Sequence, residues 1–161
     1  MTQSLTDSTN TVALQSNTYD GYTTHPLTSV SGLTEFDSAY GTSYTTRGNL
    51  TQAVVPGATT NTYFDMTGMP TGADDNNGHA VSVSAASGTN NSAPGVIQPN
   101  TGSPNDSNLA TSLTYSSFLG VATATSPNSS LTTVAYDPQG RPLTAVSPTG
   151  ASTGYTYIFG L

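Results

Sequence analysis

The chain has 161 residues, with 2 Lys or Arg and 9 Asp or Glu, which gives a net charge of −7 at pH 7. Charged residues make up 7% of it, against about a quarter in an ordinary soluble domain. Binding a nucleic-acid backbone or an anionic membrane surface requires several cations, and Arg47 and Arg141 are the only two basic side chains apart from histidine. The composition therefore excludes nucleic acid and anionic membranes as partners.

Three further classes of feature are missing from the sequence. It has no cysteine, so it has neither a disulfide framework nor a thiolate metal site. No run of 18 apolar residues is present, which argues against membrane insertion. Residues 1–7 are polar and do not resemble a signal peptide, so any export signal is expected to lie outside this chain.

The predicted elements are strands. Gly and Pro, 16 and 10 residues, interrupt the chain every few positions, and no window shows the helical spacing of apolar residues. Short runs with alternating polarity, bounded by turn residues, predict strands instead. These runs are 51–55, 80–84, 120–124, 131–136 and 143–146. The sequence therefore predicts an all-β fold with essentially no helix.

Aromatic residues mark a repeated turn between the predicted strands. A glycine follows four residues after the aromatic in three copies, and the copies are spaced by about 20 residues: 20 from Tyr44 to Phe64, and 21 from Tyr136 to Tyr157. Weaker copies begin at Tyr19, Phe36 and Tyr115. The structural turn motif comprises Tyr44, Gly48, Phe64, Asp65, Gly68, Tyr136, Asp137, Gly140 and Arg141.

The chemistry of the turn explains much of the negative charge. An aspartate at the start of a turn accepts hydrogen bonds from backbone N–H groups that follow it, and glycine supplies a positive φ. Four acidic residues directly follow an aromatic, namely Asp20, Asp37, Asp65 and Asp137. We therefore interpret them as turn formers rather than as parts of a site.

The repeats divide the chain into three parts of one domain. We expect a single repetitive β domain over 1–161, with degenerate repeats at 12–71 and further repeats at 109–161. The part between them, 72–108, is rich in Asn, Ser and Gly. It is predicted to be a long surface insertion, or else a pair of repeats that have lost their aromatic markers.

The segment 135–157, AYDPQGRPLTAVSPTGASTGYTY, resembles the Rhs or YD-repeat family. Segments 44–54 and 63–71 are weaker copies. The resemblance implies consecutive antiparallel β-hairpin repeats of about 20 residues that form a twisted strip or partial shell. Large members of the family enclose toxic domains or form the extracellular barrel of teneurin-like adhesion proteins. This chain is too short to close such a shell, so the resemblance implies a fragment or segment of one.

One loop is a candidate metal site. Asp74, Asp75 and Asn77 place oxygen ligands around a turn that contains Gly78, and Ca²⁺ prefers oxygen ligands. The spacing and the bidentate glutamate of an EF-hand are missing, so the alternative is an Asx-rich turn that binds no metal. No other cofactor is expected.

Catalysis is not expected. His25 and His79 are the only histidines, and neither lies in a recognisable catalytic motif, so both are interpreted as surface residues. The leading hypothesis is a non-catalytic structural repeat protein of the bacterial cell exterior, which contacts other repeats of its own parent chain. One alternative is a self-associating subunit of an extracellular filament or surface layer. Another is a carbohydrate or cell-surface binding module, with tyrosines as stacking platforms for a glycan.

Overall fold

The computed structural model describes residues 1–6, 9, 11–100, 102 and 106–158. It shows one antiparallel sheet of twelve strands whose spatial order follows the order of the sequence. The strands are β1 (Thr2–Thr6), β2 (Thr11–Tyr19), β3 (Leu50–Val55), β4 (Ala58–Phe64), β5 (Pro70–Asp74), β6 (Ala80–Ala85), β7 (Pro94–Pro99), β8 (Thr111–Tyr115), β9 (Val121–Thr125), β10 (Leu131–Tyr136), β11 (Pro142–Val146) and β12 (Ser152–Gly154). The predicted all-β strip of consecutive hairpins is confirmed.

Helical structure within the described residues is limited to two short 3₁₀ helices, Ser38–Tyr40 and Asp106–Leu109. In the same part of the chain, no helix has the length and apolar character needed to cross a membrane. Among the described residues, β1 pairs only with β2 and β12 pairs only with β11, so the sheet is open.

Successive connections lie at alternate ends of the strands, as they must in an antiparallel meander. The strands β2, β4, β8 and β10 end at Tyr19, Phe64, Tyr115 and Tyr136. We call this end of the sheet the aromatic end. The connections after β2, β4, β6, β8 and β10 all lie there, so the sequence repeat corresponds to one hairpin of the meander.

The two faces of the sheet differ in chemistry from β3 to β12. Because side chains alternate between faces and cross-strand partners share a face, the register assigns each residue to one side. The polar face carries Gln52, Asn61, Asp74, Ser82, Gln98, Ser112, Thr123 and Thr133, together with Val54, Val96, Leu131 and Val146. The apolar face carries Ala53, Ala73, Val81, Val83, Ile97, Leu113, Ala124, Val134 and Ala145, together with Thr60, Thr62, Thr111 and Thr132.

The sheet is a single layer with little buried core. The chain exposes 10229 Å², whereas a compact protein of 16.4 kDa exposes about 7,500 Å². Within the described ranges, few apolar side chains are buried, namely Tyr22, Leu27, Met69, Ala86 and Ala93. Backbone hydrogen bonding between strands, rather than burial, is therefore the main feature that holds neighbouring hairpins together.

The structure corrects the expectation of an insertion at 72–108. This segment contributes most of β5 and all of β6 and β7, which pair in the same order as the rest of the sheet. Its hairpin carries Ala85 where the other repeats carry an aromatic. The second alternative, a repeat whose marker has been lost, is the one that matches the strand pairing.

The long excursion from the sheet lies instead at residues 20–49, between β2 and β3. Thr28 forms a parallel bridge to Asp65, since its N–H donates to Phe64 O at 3.1 Å and its carbonyl accepts from Met66 N at 2.9 Å. The ring of His25 packs edge-on against Tyr63 at 5.2 Å. The excursion is therefore held against the turn that follows β4 and against the polar face of β4.

Candidate functional site: the aspartate turns and the tyrosine ladder

The turn after β10 shows the complete repeat geometry. Asp137 N donates to Arg141 O at 2.9 Å, and Asp137 Oδ1 accepts from Gln139 N and Arg141 N, both at 2.9 Å. Gly140 adopts φ +79°, a conformation that costs glycine little. Burial raises the pKa of Asp137, but the Arg141 N–H, the Arg141 guanidinium and the Gln139 N–H together outweigh it, so the pKa is lowered.

The turn after β4 repeats this geometry in a buried setting. Asp65 N donates to Met69 O at 3.0 Å, and Asp65 Oδ1 accepts from Thr67 N at 2.8 Å and Met69 N at 3.1 Å. Gly68 has φ +90°. Asp65 is only 1% exposed, and its second oxygen accepts from Asn91 Nδ2. This aspartate therefore also ties its own turn to the connection between β6 and β7.

The candidate calcium loop forms the same turn at the opposite end of the sheet. Asp75 N donates to His79 O at 3.1 Å, and Asp75 Oδ1 accepts from Asn77 N at 2.8 Å and His79 N at 3.2 Å. Its other oxygen lies 2.7 Å from His79 Nδ1. The hydrogen bond to the His79 ring, with the backbone bonds, lowers the pKa of Asp75 to about 2.

Asp74 is also engaged by donors of the chain. Its oxygens accept from Asn61 Nδ2 at 2.8 Å and from Tyr63 OH at 2.5 Å, and Asn61 in turn accepts from Gln52 Nε2 at 2.9 Å. The Tyr63 hydroxyl, followed by Asn61, lowers the pKa of Asp74, and the same bond raises the pKa of Tyr63. The geometry of both aspartates thus favours the metal-free turn, and the calcium hypothesis stays a prediction.

The connection after β2 is the same turn, divided by an insertion. Asp20 follows Tyr19, and its N–H donates to Asn49 O at 2.8 Å. Its carboxylate accepts from Arg47 N, Gly48 N and Asn49 N at 2.9 to 3.0 Å. Although burial opposes them, these bonds lower the pKa of Asp20. The third, fourth and fifth positions of this turn are therefore filled by Arg47, Gly48 and Asn49.

This division changes the role expected for Tyr44. The sequence spacing assigned Tyr44 and Gly48 to one turn, but Gly48, with φ +76°, belongs to the turn of Asp20. Tyr44 lies within the excursion, where its ring packs edge-on against Tyr40 at 4.9 Å. The spacing between Tyr44 and Gly48 matched the repeat only because the insertion ends just before Arg47.

We expect the divided turn to close without its insertion. Deleting residues 22–46 leaves Asp20, Gly21, Arg47, Gly48 and Asn49, a five-residue turn with glycine in the fourth place. The deleted chain should keep its strand signal in circular dichroism, although it loses the packing of Tyr22 and Leu27, each worth about 1.5–3 kcal/mol when fully buried.

The matched control deletes residues 21–46 and leaves four residues, one too few for the turn. A shift of the strand register by one residue moves every side chain of the strand to the opposite face of the sheet. This control should therefore unfold at a lower denaturant concentration than the first deletion. Equal stability of the two deletions would contradict the assignment of the turn.

Each hairpin at the aromatic end carries a β-bulge at the same place. The cross-strand register skips one residue next to the last residue of the outgoing strand, which leaves one extra residue on the return strand. The pairs at the skip are Tyr19 with Leu50, Phe64 with Pro70, Ala85 with Pro94, Tyr115 with Val121 and Tyr136 with Pro142. The repeat thus survives in the backbone even where Ala85 replaces the aromatic.

Three tyrosines form a ladder that joins successive hairpins. Tyr115 OH donates to Pro94 O at 2.9 Å, Tyr136 OH to Val121 O at 2.8 Å, and Tyr157 OH to Pro142 O at 2.8 Å. In every case the acceptor is the first residue of the return strand in the preceding hairpin, directly before the extra residue of the bulge. We call these three contacts the tyrosine ladder.

Side chains around the ladder reinforce the same step. Arg141 contacts the Asp137 carboxylate at 2.6 Å and lies over the ring of Tyr157 at 4.5 Å from its centre, so it links one turn to the next tyrosine. The Tyr136 ring packs edge-on against Phe118 at 5.0 Å. The motif residues Tyr136 and Arg141 therefore act between repeats as well as within them.

The two histidines have different surroundings. His79 pairs with Asp75 on an exposed turn, and His25 contacts the Tyr63 ring. In the described residues, no group of three or more His, Cys, Asp or Glu side chains is arranged to hold a metal ion.

Comparison with known proteins gives no family assignment. No protein-family description matches the chain, and no curated protein matches it. The functional argument therefore rests on the geometry of the repeats.

Proposed function

We propose that this chain is a non-catalytic structural repeat protein, a segment of a β wall of the Rhs or YD type at the bacterial cell exterior. The observation that carries the proposal is the tyrosine ladder, in which the same hydroxyl-to-carbonyl contact recurs from hairpin to hairpin. A contact that repeats along the sheet stabilises an array and has no single centre at which chemistry would occur.

The chemistry of the turns also supports a non-catalytic structural function. The aspartates at 20, 65, 75 and 137 each accept two or more backbone N–H groups of their own turn. Hydrogen bonds to the ionised form are also what lower the pKa where a shift is resolved. Their charge stabilises turns instead of activating a nucleophile or binding a substrate.

The test is to lengthen the array by one repeat. Inserting a second copy of residues 116–136 after Tyr136 adds 21 residues, one hairpin and one further rung of the ladder. Because repeat arrays gain stability from each added neighbour interface, we expect more strand signal and a melting temperature at or above that of the parent chain.

The matched control inserts a copy of residues 117–136, which is one residue shorter. It should shift the register by one residue, so that the side chains of the added strands lie on the opposite face of the sheet, and it should lower the melting temperature. A 21-residue insertion that unfolds the chain as readily as the 20-residue one would contradict the proposed repeat function.

A second candidate, end-to-end assembly into a filament, is favoured by the two edge strands. The outer sides of β1 and β12 have no strand partner among the described residues, and the chain has no lysine of the kind that commonly protects sheet edges. Pairing of β1 with β12 of another copy would lengthen the sheet without limit. Fibres in negative-stain images, with a mass that grows steadily with concentration, would support it.

A further inference from the structure

We propose that the apolar face of the sheet packs against the same face of a second copy of this chain. The inference rests on the proposed structural function and names its partner. The face is defined by cross-strand pairs that run through consecutive hairpins, including Val83 with Ile97, Leu113 with Ala124, and Val134 with Ala145. From β6 to β11 the face is mainly apolar, with Thr111 beside Ile97 and Thr132 beside Ala124.

The distribution of charge permits this face to be buried. Asp74 is the one charged residue within β1–β12, and it lies on the polar face. The carboxylates of Asp20, Asp65, Asp75 and Asp137 lie in the turns at the ends of the strands. Two copies can therefore bring their apolar faces together without desolvating an unpaired charge, which would be costly.

The exposed area is large enough for a stable dimer interface. The chain exposes 10229 Å², about 2,700 Å² more than a compact protein of its mass. Permanent dimer interfaces bury about 2,000–5,000 Å² over both partners, which is about 1,000–2,500 Å² from each chain. Ile97, in the middle of the face, is still 36% exposed. Two such sheets stacked about 10 Å apart would form the missing second layer of a sandwich.

The chain's own excursion does not supply that second layer. It contacts the start of β3, where Gly21 N donates to Thr51 Oγ1 at 3.0 Å, and the turn after β4, through Thr28. It also contacts Tyr63 on the polar face, through His25, and the connection between β6 and β7, where Thr34 exchanges two hydrogen bonds with Asn90 at 2.9 Å. None of these contacts involves Val83, Ile97 or Leu113. A two-fold dimer brings the same patch of both subunits together, so one uncharged face can form both sides of the interface.

Multi-angle light scattering over a dilution series tests the proposal with two neighbouring variants. The parent chain should give twice its monomer mass of 16.4 kDa. Val83→Asp places a charge on the apolar face and should raise the dissociation constant on the order of 100-fold or more. Ser82→Asp, one residue away on the polar face, adds the same charge and should leave the dimer intact. Circular dichroism of all three proteins reports whether the sheet is retained.

Each other outcome overturns the proposal. A folded parent chain that stays monomeric at every concentration, or a Ser82→Asp variant that dissociates as much as Val83→Asp, would exclude this interface. Mass that grows without limit and does not respond to Val83→Asp would show edge pairing instead. If Val83→Asp loses its strand signal, the isosteric Val83→Thr replaces it in the test. A Val83→Thr variant that dimerises as strongly as the parent chain would then contradict an interface on the apolar face. The repeat-insertion experiment remains a separate test of the structural function.

Discussion

Replacing Asp65 with alanine is expected to lower the free energy of unfolding by about 3 kcal/mol or more. The Asp65 carboxylate accepts from Thr67 N, Thr67 Oγ1 and Met69 N at 2.6 to 3.1 Å and from Asn91 Nδ2. Hydrogen bonds to a charged group are worth about 1.5–3 kcal/mol each, and buried donors left without a partner carry the full cost of desolvation. Urea denaturation, followed by circular dichroism, measures the loss.

The control for this substitution is Asp37→Ala. Asp37 is exposed and caps the short 3₁₀ helix Ser38–Tyr40 through one bond, from Ala39 N at 2.9 Å. Loss of such a cap costs about 1 kcal/mol. If Asp65→Ala were no more destabilising than Asp37→Ala, the buried turn would not be a principal support of the fold.

Asp65 is expected to contribute this much to the free energy of unfolding because three connections meet at it. Its own turn connects β4 and β5, and Asn91 reaches it from the connection between β6 and β7. From the excursion after β2, Thr28 bonds to the backbone of the two residues that flank it, Phe64 and Met66. Asp137, by contrast, is held by residues of its own turn. The sequence shows the two aspartates as equivalent, and only the tertiary structure separates them.

How far the sequence predicts this fold depends on whether an interaction is local. The turns at Asp65 and Asp137 are predictable, because every backbone donor lies within four residues of its aspartate. The divided turn is not, since Asp20 receives its donors from Arg47, Gly48 and Asn49, almost 30 residues later. No local sequence pattern predicts a turn closed over such a distance. The chance spacing between Tyr44 and Gly48 indicates a different turn instead.

The middle hairpin was obscured for another reason. The strand Ala80–Ala85 alternates clearly and is predicted, but β7 begins and ends with proline, which normally argues against a paired strand. The aromatic marker is replaced by Ala85, although the bulge that accompanies the marker is retained. Composition therefore suggested an insertion where the backbone continues the repeat.

The tyrosine ladder is likewise invisible in the sequence. The spacing of Tyr115, Tyr136 and Tyr157 gives the period of the repeat, but not the direction in which each ring leans. The structure shows that every hydroxyl reaches back to the preceding hairpin. The aromatic is thus a link between repeats, in addition to marking the end of its own strand.

Replacing Tyr136 with alanine should lower the free energy of unfolding by about 2–3 kcal/mol, the second-largest effect we expect. The substitution removes the bond to Val121 O at 2.8 Å and the edge-on contact with Phe118. It also empties the space above Gly120, where an added Cβ would lie only 3.0 Å from the Tyr136 ring. Large aromatic truncations cost about 3–5 kcal/mol in full cores, and less at a half-buried position.

Two controls separate the parts of this effect. Tyr136→Phe keeps the ring and removes only the hydroxyl, so it should cost about 1 kcal/mol. Tyr40→Ala removes a tyrosine of the excursion that is half exposed and contacts Tyr44 alone among the described aromatic rings, so it should cost less than Tyr136→Ala.

Hydrogen exchange shows which strands are destabilised. In Tyr136→Ala, the amides of β9 to β12 should exchange faster while those of β3 to β6 keep their protection. Uniform acceleration across the whole sheet would instead mean that the hairpins unfold as one unit, and that the ladder does not couple them in sequence.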